Sequence, residues 1–114
     1  MKKVTVSGLL KKKQAGEKIT SLTAYDASFA KMFDEQGVDA LLIGDSLGNV
    51  IQGHKTTVKV TVEHMVYHTE CVTNIEPRSL IITDLPFMSY STSEHAFKTA
   101  TIIMQSGAEM IKVE

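Results

Sequence analysis

The sequence predicts an α/β fold built on a parallel sheet, and three observations carry that reading. Short apolar runs alternate with longer amphipathic stretches along the whole chain. The second run, DALLI at 39–43, is nearly continuous in apolar residues, as for a strand buried on both faces. Each run is followed within two residues by an acidic residue: Asp26, Asp45, Asp84 and Glu114. In a parallel sheet those ends share one edge, the edge where ligands bind.

The elements follow in order. A short helix is expected over Val6 to Gln14, with Gly16 ending it. Its Lys11-Lys12-Lys13 run reads as a solvated face rather than a binding patch. Lys18 to Ala24 (KITSLTA) is the expected first strand. Asp26 can then cap a helix from Ala27 to Gln36, with Phe29, Ala30, Met32 and Phe33 on its apolar side and Gly37 as its stop. Asp39 to Ile43 (DALLI) is the second strand. Gly44 to Val60 is a long connection with glycines at 44, 48 and 53, and Val50-Ile51-Gln52 is expected to be briefly extended. Connections of this length in compact domains are usually functional.

Thr61 caps the next helix, whose apolar positions include Val62, Met65, Val66 and Val72. Ser79 to Thr83 (SLIIT) is the third strand. Ser91 and Glu94 have the spacing of a capping box for the last helix. Its expected apolar face is Ala96, Phe97, Ala100, Ile103 and Met104. Gly107 stops it, and Glu109 to Val113 (EMIKV) is the fourth strand. The pattern is βαβαβαβ with right-handed crossovers. A last strand at the end of the sequence suggests a larger fold cut before completion.

The composition narrows the function classes. The chain has 114 residues and a formal net charge of −1, so no strong field points to nucleic acid or anionic lipid. No apolar run approaches the ~20 residues of a membrane span, and the N-terminus lacks the apolar core of a signal peptide. The single Cys71 cannot form an internal disulfide and reads as a buried structural thiol in a cytoplasmic protein.

The chemistry gathers after the strands. Thr23-Ala24-Tyr25-Asp26 follows the first, Gly44-Asp45-Ser46 the second and Thr83-Asp84 the third, while Lys112-Val113-Glu114 closes the fourth. Carboxylates repeated along one edge repel unless something positive sits among them. A hard cation such as Mg2+ answers this, taking oxygen ligands and keeping positions open for substrate. Each residue also has a plainer role. Asp26 reads as a helix cap, Asp45 as a turn former or a ligand, and Asp84 as a strand-end structural residue or a ligand. Lys112 either pairs with a carboxylate, binds an anion or is solvated. His64 and His68 have zinc-compatible i, i+4 spacing but read as a helix-surface pair. His54 and His95 read as exposed.

Several blocks together resemble ketopantoate hydroxymethyltransferase (3-methyl-2-oxobutanoate hydroxymethyltransferase): TAYD at 23–26, GDSLG at 44–48, QGH at 52–54, YHT at 67–69, DLPFM at 84–88 and IKVE at 111–114. The resemblance spans essentially the whole chain. It implies the first four βα units of a (β/α)8 TIM barrel of the phosphoenolpyruvate/pyruvate type, with residues 1–114 as the N-terminal half of one catalytic domain.

It also implies transfer of a one-carbon unit from 5,10-methylenetetrahydrofolate to 3-methyl-2-oxobutanoate, giving 2-dehydropantoate on the way to pantothenate and coenzyme A. Asp45 and Asp84 are expected to ligate Mg2+, with Glu114 beside it directly or through water. Asp45, Ser46, Asp84 and Lys112 are expected to hold the keto acid. The general base, a glutamate, and much of the folate surface are expected beyond residue 114, so this chain alone should be inactive. The complete family protein is expected to be a homo-oligomer, a decamer. Two other readings stay open: a different metal-dependent lyase of the same barrel superfamily, and a receiver-like signalling domain phosphorylated at Asp84.

Overall fold

A computed structural model describes residues 2–114. Helix α1 spans Val6–Gln14, β1 Ser21–Thr23, α2 Ala27–Glu35, β2 Ala40–Ile43, α3 Leu47–Val50, α4 Val62–Thr73, β3 Leu80–Asp84, α5 Ser93–Gln105 and β4 Met110–Lys112. The four strands are parallel and lie in the order β1-β2-β3-β4. A sequential order with right-handed crossovers puts every crossover helix on the same face of the sheet. The packing agrees: α4 lies against β2, β3, α2 and α5, and α5 lies against β4. This is one arc of a barrel. It is not the doubly wound sheet that a receiver-like domain requires, in which the strand order reverses and helices cover both faces.

The register sorts the side chains. Leu41 pairs with Ile81 and Ile43 with Thr83. All four are at most 2% exposed and belong to the helix-covered face, where the Thr83 hydroxyl lies 3.0 Å from that of Thr69 on α4. The alternate positions Thr23, Leu42, Ile82 and Met110 align across the four strands on the opposite face, which is half-covered at its centre and exposed at its edges. Two residues further on, Asp84 pairs with Lys112, so both continue this second face at its C-terminal rim.

Most expected boundaries agree to within one residue, and the departures have local causes. The first strand is shorter than Lys18–Ala24 because ladder pairing with β2 begins at Ser21. The expected extended segment at Val50-Ile51-Gln52 is instead the end of α3 and a turn. Gly48 allows this close packing: a Cβ there would lie 2.7 Å from Val60 Cγ2. The capping residue of α5 is Thr92, whose hydroxyl accepts from the His95 N–H, and not Ser91. Shifted by one position, Glu94 no longer reaches the capping site. A capping box does form at α4, where Thr61 accepts from the His64 N–H and His64 Nδ1 accepts from the Thr61 N–H.

The expected apolar face of α5 is corrected too. Thr99 and Ile103 are buried, whereas Phe97 and Met104 are exposed. Thr99 faces inward because its hydroxyl donates to the Ser89 carbonyl at 2.7 Å. Cys71 is half-buried, not buried, and its thiol beside Tyr67 holds that phenol above its usual pKa. Lys12 is no free member of a basic run, since its ammonium lies 3.1 Å from Asp39. No helix is long and apolar enough to cross a membrane among the described residues.

Candidate active site

Asp45, Ser46, Asp84, Lys112 and Glu114 all fall at the C-terminal rim of the sheet. Each of the three carboxylates comes from a different strand end. One oxygen from each of Asp45, Asp84 and Glu114 lies within 4.8 Å of the others, a spacing that one cation can span. Asp84 is 4% exposed. Its Oδ2 accepts the Asp45 N–H at 2.9 Å, while its Oδ1 is buried with no hydrogen-bond partner among the described residues. Lys112 Nζ stands 3.4 Å from that Oδ1, near enough for charge attraction but outside hydrogen-bond geometry. Lys112 donates instead to Glu114. A buried carboxylate oxygen left without a donor is costly unless another positive group meets it.

The electrostatics point the same way. Burial pushes the Asp45 carboxyl above its usual pKa, and the nearby charges of Asp84 and Glu114 add to this, with Lys112 opposing. The Lys112 ammonium is raised, chiefly by its hydrogen bond to Glu114, against the pull of burial. Three carboxylates share one ammonium, leaving two uncompensated negative charges when all are ionised. A divalent oxygen-seeking cation matches that donor set in charge and in ligand type.

The backbone around the cluster is built for close approach. A Cβ on Gly44 would lie 2.9 Å from Ser46 Oγ and 3.4 Å from Asp84 Oδ2, so a side chain there would crowd the cluster. The Leu85 N–H donates to the Lys112 carbonyl at 3.0 Å and ties the loop after β3 to β4. Ser89 Oγ closes that loop on the Pro86 carbonyl. The grooves between α4 and α5, lined by residues such as Val66, Glu70 and Ile102, carry none of these groups.

Other sequence candidates are placed elsewhere. Asp26 caps α2, accepting from the Phe29 N–H at 2.8 Å. His64 and His68 do not form a ligand pair, because His64 Nδ1 is engaged by the Thr61 N–H. Nor is His68 a plain surface residue, since its Nδ1 lies 2.7 Å from the Tyr25 carbonyl oxygen. His95 is half-buried rather than exposed. The residue that single-residue reasoning overlooked is Tyr25, whose hydroxyl lies 2.6 Å from Ser46 Oγ. Its only sequence signal was its place directly after the first strand, within the TAYD block.

The family model described as ketopantoate hydroxymethyltransferase matches residues 3–114. A protein of Alteromonas mediterranea named 3-methyl-2-oxobutanoate hydroxymethyltransferase is 65% identical over all 114 residues. Proteins of the same name from Shewanella sediminis and Shewanella loihica are 60% identical over the same length. The chain spans 43% of the length of these curated relatives. Among solved structures, 2,3-dimethylmalate lyase, a member of the PEP mutase/isocitrate lyase superfamily, superposes with a TM-score of 0.70 at 20% identity, covering 99% of this chain and 39% of that one. Oxaloacetate acetylhydrolase gives 0.66 at 17% identity, covering 90% and 37%. At such identities these two likenesses speak for the fold alone.

Proposed function

The chain belongs to the ketopantoate hydroxymethyltransferase family, and from that premise we propose that it forms the N-terminal half of a barrel enzyme that hydroxymethylates 3-methyl-2-oxobutanoate. The one-carbon donor is 5,10-methylenetetrahydrofolate and the product is 2-dehydropantoate. The observation that carries this reading is the convergence of Asp45, Asp84 and Glu114 from three strands around the unpartnered Asp84 Oδ1. Those three residues would hold Mg2+, which when bound supplies Lewis-acid activation of the keto oxygen.

The chain's own groups do the rest of the binding. Lys112, beside the cluster, offsets the negative charge of the keto acid as a point cation. Ser46 offers a hydroxyl to a substrate oxygen. Asp45 and Asp84 fix the orientation of the chelated end, so that C3 is presented for loss of its proton. The acceptor of that proton, a general base within hydrogen-bond reach of C3, is assigned beyond residue 114, along with much of the folate surface. Residues 1–114 alone are therefore inactive. The complete protein acts in the cytoplasm as a homo-oligomer. A lyase of the same superfamily shares the cation logic, but the 60–65% identity to hydroxymethyltransferases over the full chain favours the transferase.

The test is Asp84→Asn in the full-length protein. That change keeps the side chain's size and removes its charge. Calorimetric Mg2+ binding is expected to weaken at least tenfold, and turnover to fall at least a hundredfold, in line with losing one ligand of a small-ion site (on the order of a few kcal/mol). Unchanged Mg2+ affinity in a folded Asp84→Asn protein refutes the assignment.

A further inference from the structure

We propose that Tyr25 is a positioning residue that sets the Ser46 hydroxyl as a hydrogen-bond donor to the anionic end of the keto acid. This rests on the reading that Ser46 meets that ligand. Tyr25 OH and Ser46 Oγ are 2.6 Å apart, at the short end of the O–H···O range. A phenol, with a pKa of about 10, is far more acidic than an aliphatic hydroxyl. In this pair the phenol is therefore the better donor and the serine the better acceptor. A serine oxygen that accepts from Tyr25 has its own proton free, directed away from the phenol.

Two further features make the pairing specific. Ser46 precedes α3 with helical backbone angles, φ −56° and ψ −13°, and its side chain makes no capping hydrogen bond. Its hydroxyl is therefore not engaged by its own helix. Across Gly44, where no side chain intervenes, it shares the rim with Asp84 Oδ2.

Tyr25, for its part, is held from both sides. The Ala24 N–H donates to the Leu42 carbonyl, and Asp26 caps α2. The Tyr25 carbonyl lies 2.7 Å from His68 Nδ1. A carbonyl only accepts, so this contact requires the proton on Nδ1 of His68. His68 on α4 thereby braces the backbone from which the phenol reaches across to Ser46. The His68 contact is Tyr25's own, and the phenol ends on a second hydroxyl at the rim.

The experiment is a double-variant cycle in the full-length protein, read by calorimetry of 3-methyl-2-oxobutanoate binding at saturating Mg2+. Tyr25→Phe is expected to weaken keto-acid binding about tenfold, while leaving Mg2+ affinity in the absence of keto acid and the melting temperature unchanged. Ser46→Ala is expected to weaken keto-acid binding at least as much. The double variant should then be no weaker than Ser46→Ala alone, because Tyr25 acts only through that hydroxyl.

Wild-type affinity in Tyr25→Phe, or losses that multiply in the double variant, overturns the positioning role while the site reading stands. Wild-type keto-acid affinity in Ser46→Ala sinks the site reading and the inference with it. If the phenylalanine variant melts early, fluorotyrosine at position 25 gives the second measurement. It keeps the ring and strengthens the donor, so binding should hold or tighten. Weaker binding contradicts the assigned direction of the hydrogen bond.

Discussion

Asp39 and Asp84 are both buried acids at strand ends, and the difference between them separates structure from function. Asp39, at the N-terminal end of β2, is fully provided for. It accepts from the Thr20 N–H at 2.9 Å and from the Thr20 hydroxyl, and it pairs with Lys12. Burial alone would raise its pKa, but these donors outweigh burial and the carboxyl is lowered below its usual 3.8. Asp34 behaves alike, lowered against burial by the Ser79 and Arg78 N–H groups. A carboxylate lowered in the folded state contributes stability that is fully present above its unfolded pKa and is lost as pH falls through its folded value. The melting temperature should therefore drop as pH falls from about 5 to about 2. In Asp39→Asn the protein should be less stable at neutral pH, and its acid-induced drop should be shallower. Thermal melts across that range check both. Asp84 Oδ1 has no hydrogen-bond donor among the described residues, only the Lys112 ammonium 3.4 Å away, which fits the ligand role proposed for it. The sequence displayed both acids equally well, but which one found partners depended on contacts between distant segments.

Helix ends are the elements that were most legible. Asp26 and Thr61 cap their helices as expected, and Thr5, not singled out from the sequence, caps α1. Gly16, Gly37 and Gly107 follow α1, α2 and α5 with φ of 76°, 84° and 120°. The misread elements have a common origin. At α5, three consecutive hydroxyl residues (Ser91, Thr92, Ser93) could each cap; Thr92 does, while Ser91 Oγ lies 3.2 Å from His95 Nδ1. Phe97 fits the helical period but lies on the side of α5 that none of the described residues covers. Gly107 carries a second constraint that periodicity does not reveal. A Cβ there would lie 2.7–2.8 Å from three side-chain atoms of Thr73. Gly107→Ala combines an unfavourable positive φ with this overlap, so it is expected to destabilise the protein by about 2–4 kcal/mol. Chemical denaturation should read that as a lower midpoint. A loss below about 0.5 kcal/mol contradicts the close contact.

The molecule as a whole is an arc with two kinds of strand. Leu41, Ile43, Leu80 and Ile81 of β2 and β3 are almost fully buried, whereas β1 is exposed along its length and β4 along most of it. Two exposed parallel strands with one sheet neighbour each are templates for further pairing. The isolated 114-residue chain is expected to self-associate and to show no turnover. Light scattering combined with an activity assay checks this, and a monodisperse, cooperatively unfolding monomer contradicts it. The alternation of the four strands with the longer helices was readable because period and capping are local, whereas the short α3 and the buried face of α5 were not. The sequential strand order is not written in that alternation, and it decides between an arc and a doubly wound sheet. That order also makes the acidic rim a gauge of alignment. Its three carboxylates hang from three adjacent strands, so sliding β3 by a single residue would swing Asp84 to the helix-covered side and dissolve the grouping. An ion seated there rewards only the correct pairing of all three strands. Binding it should lock the sheet's register and raise the energy needed to pull any one of these strands free.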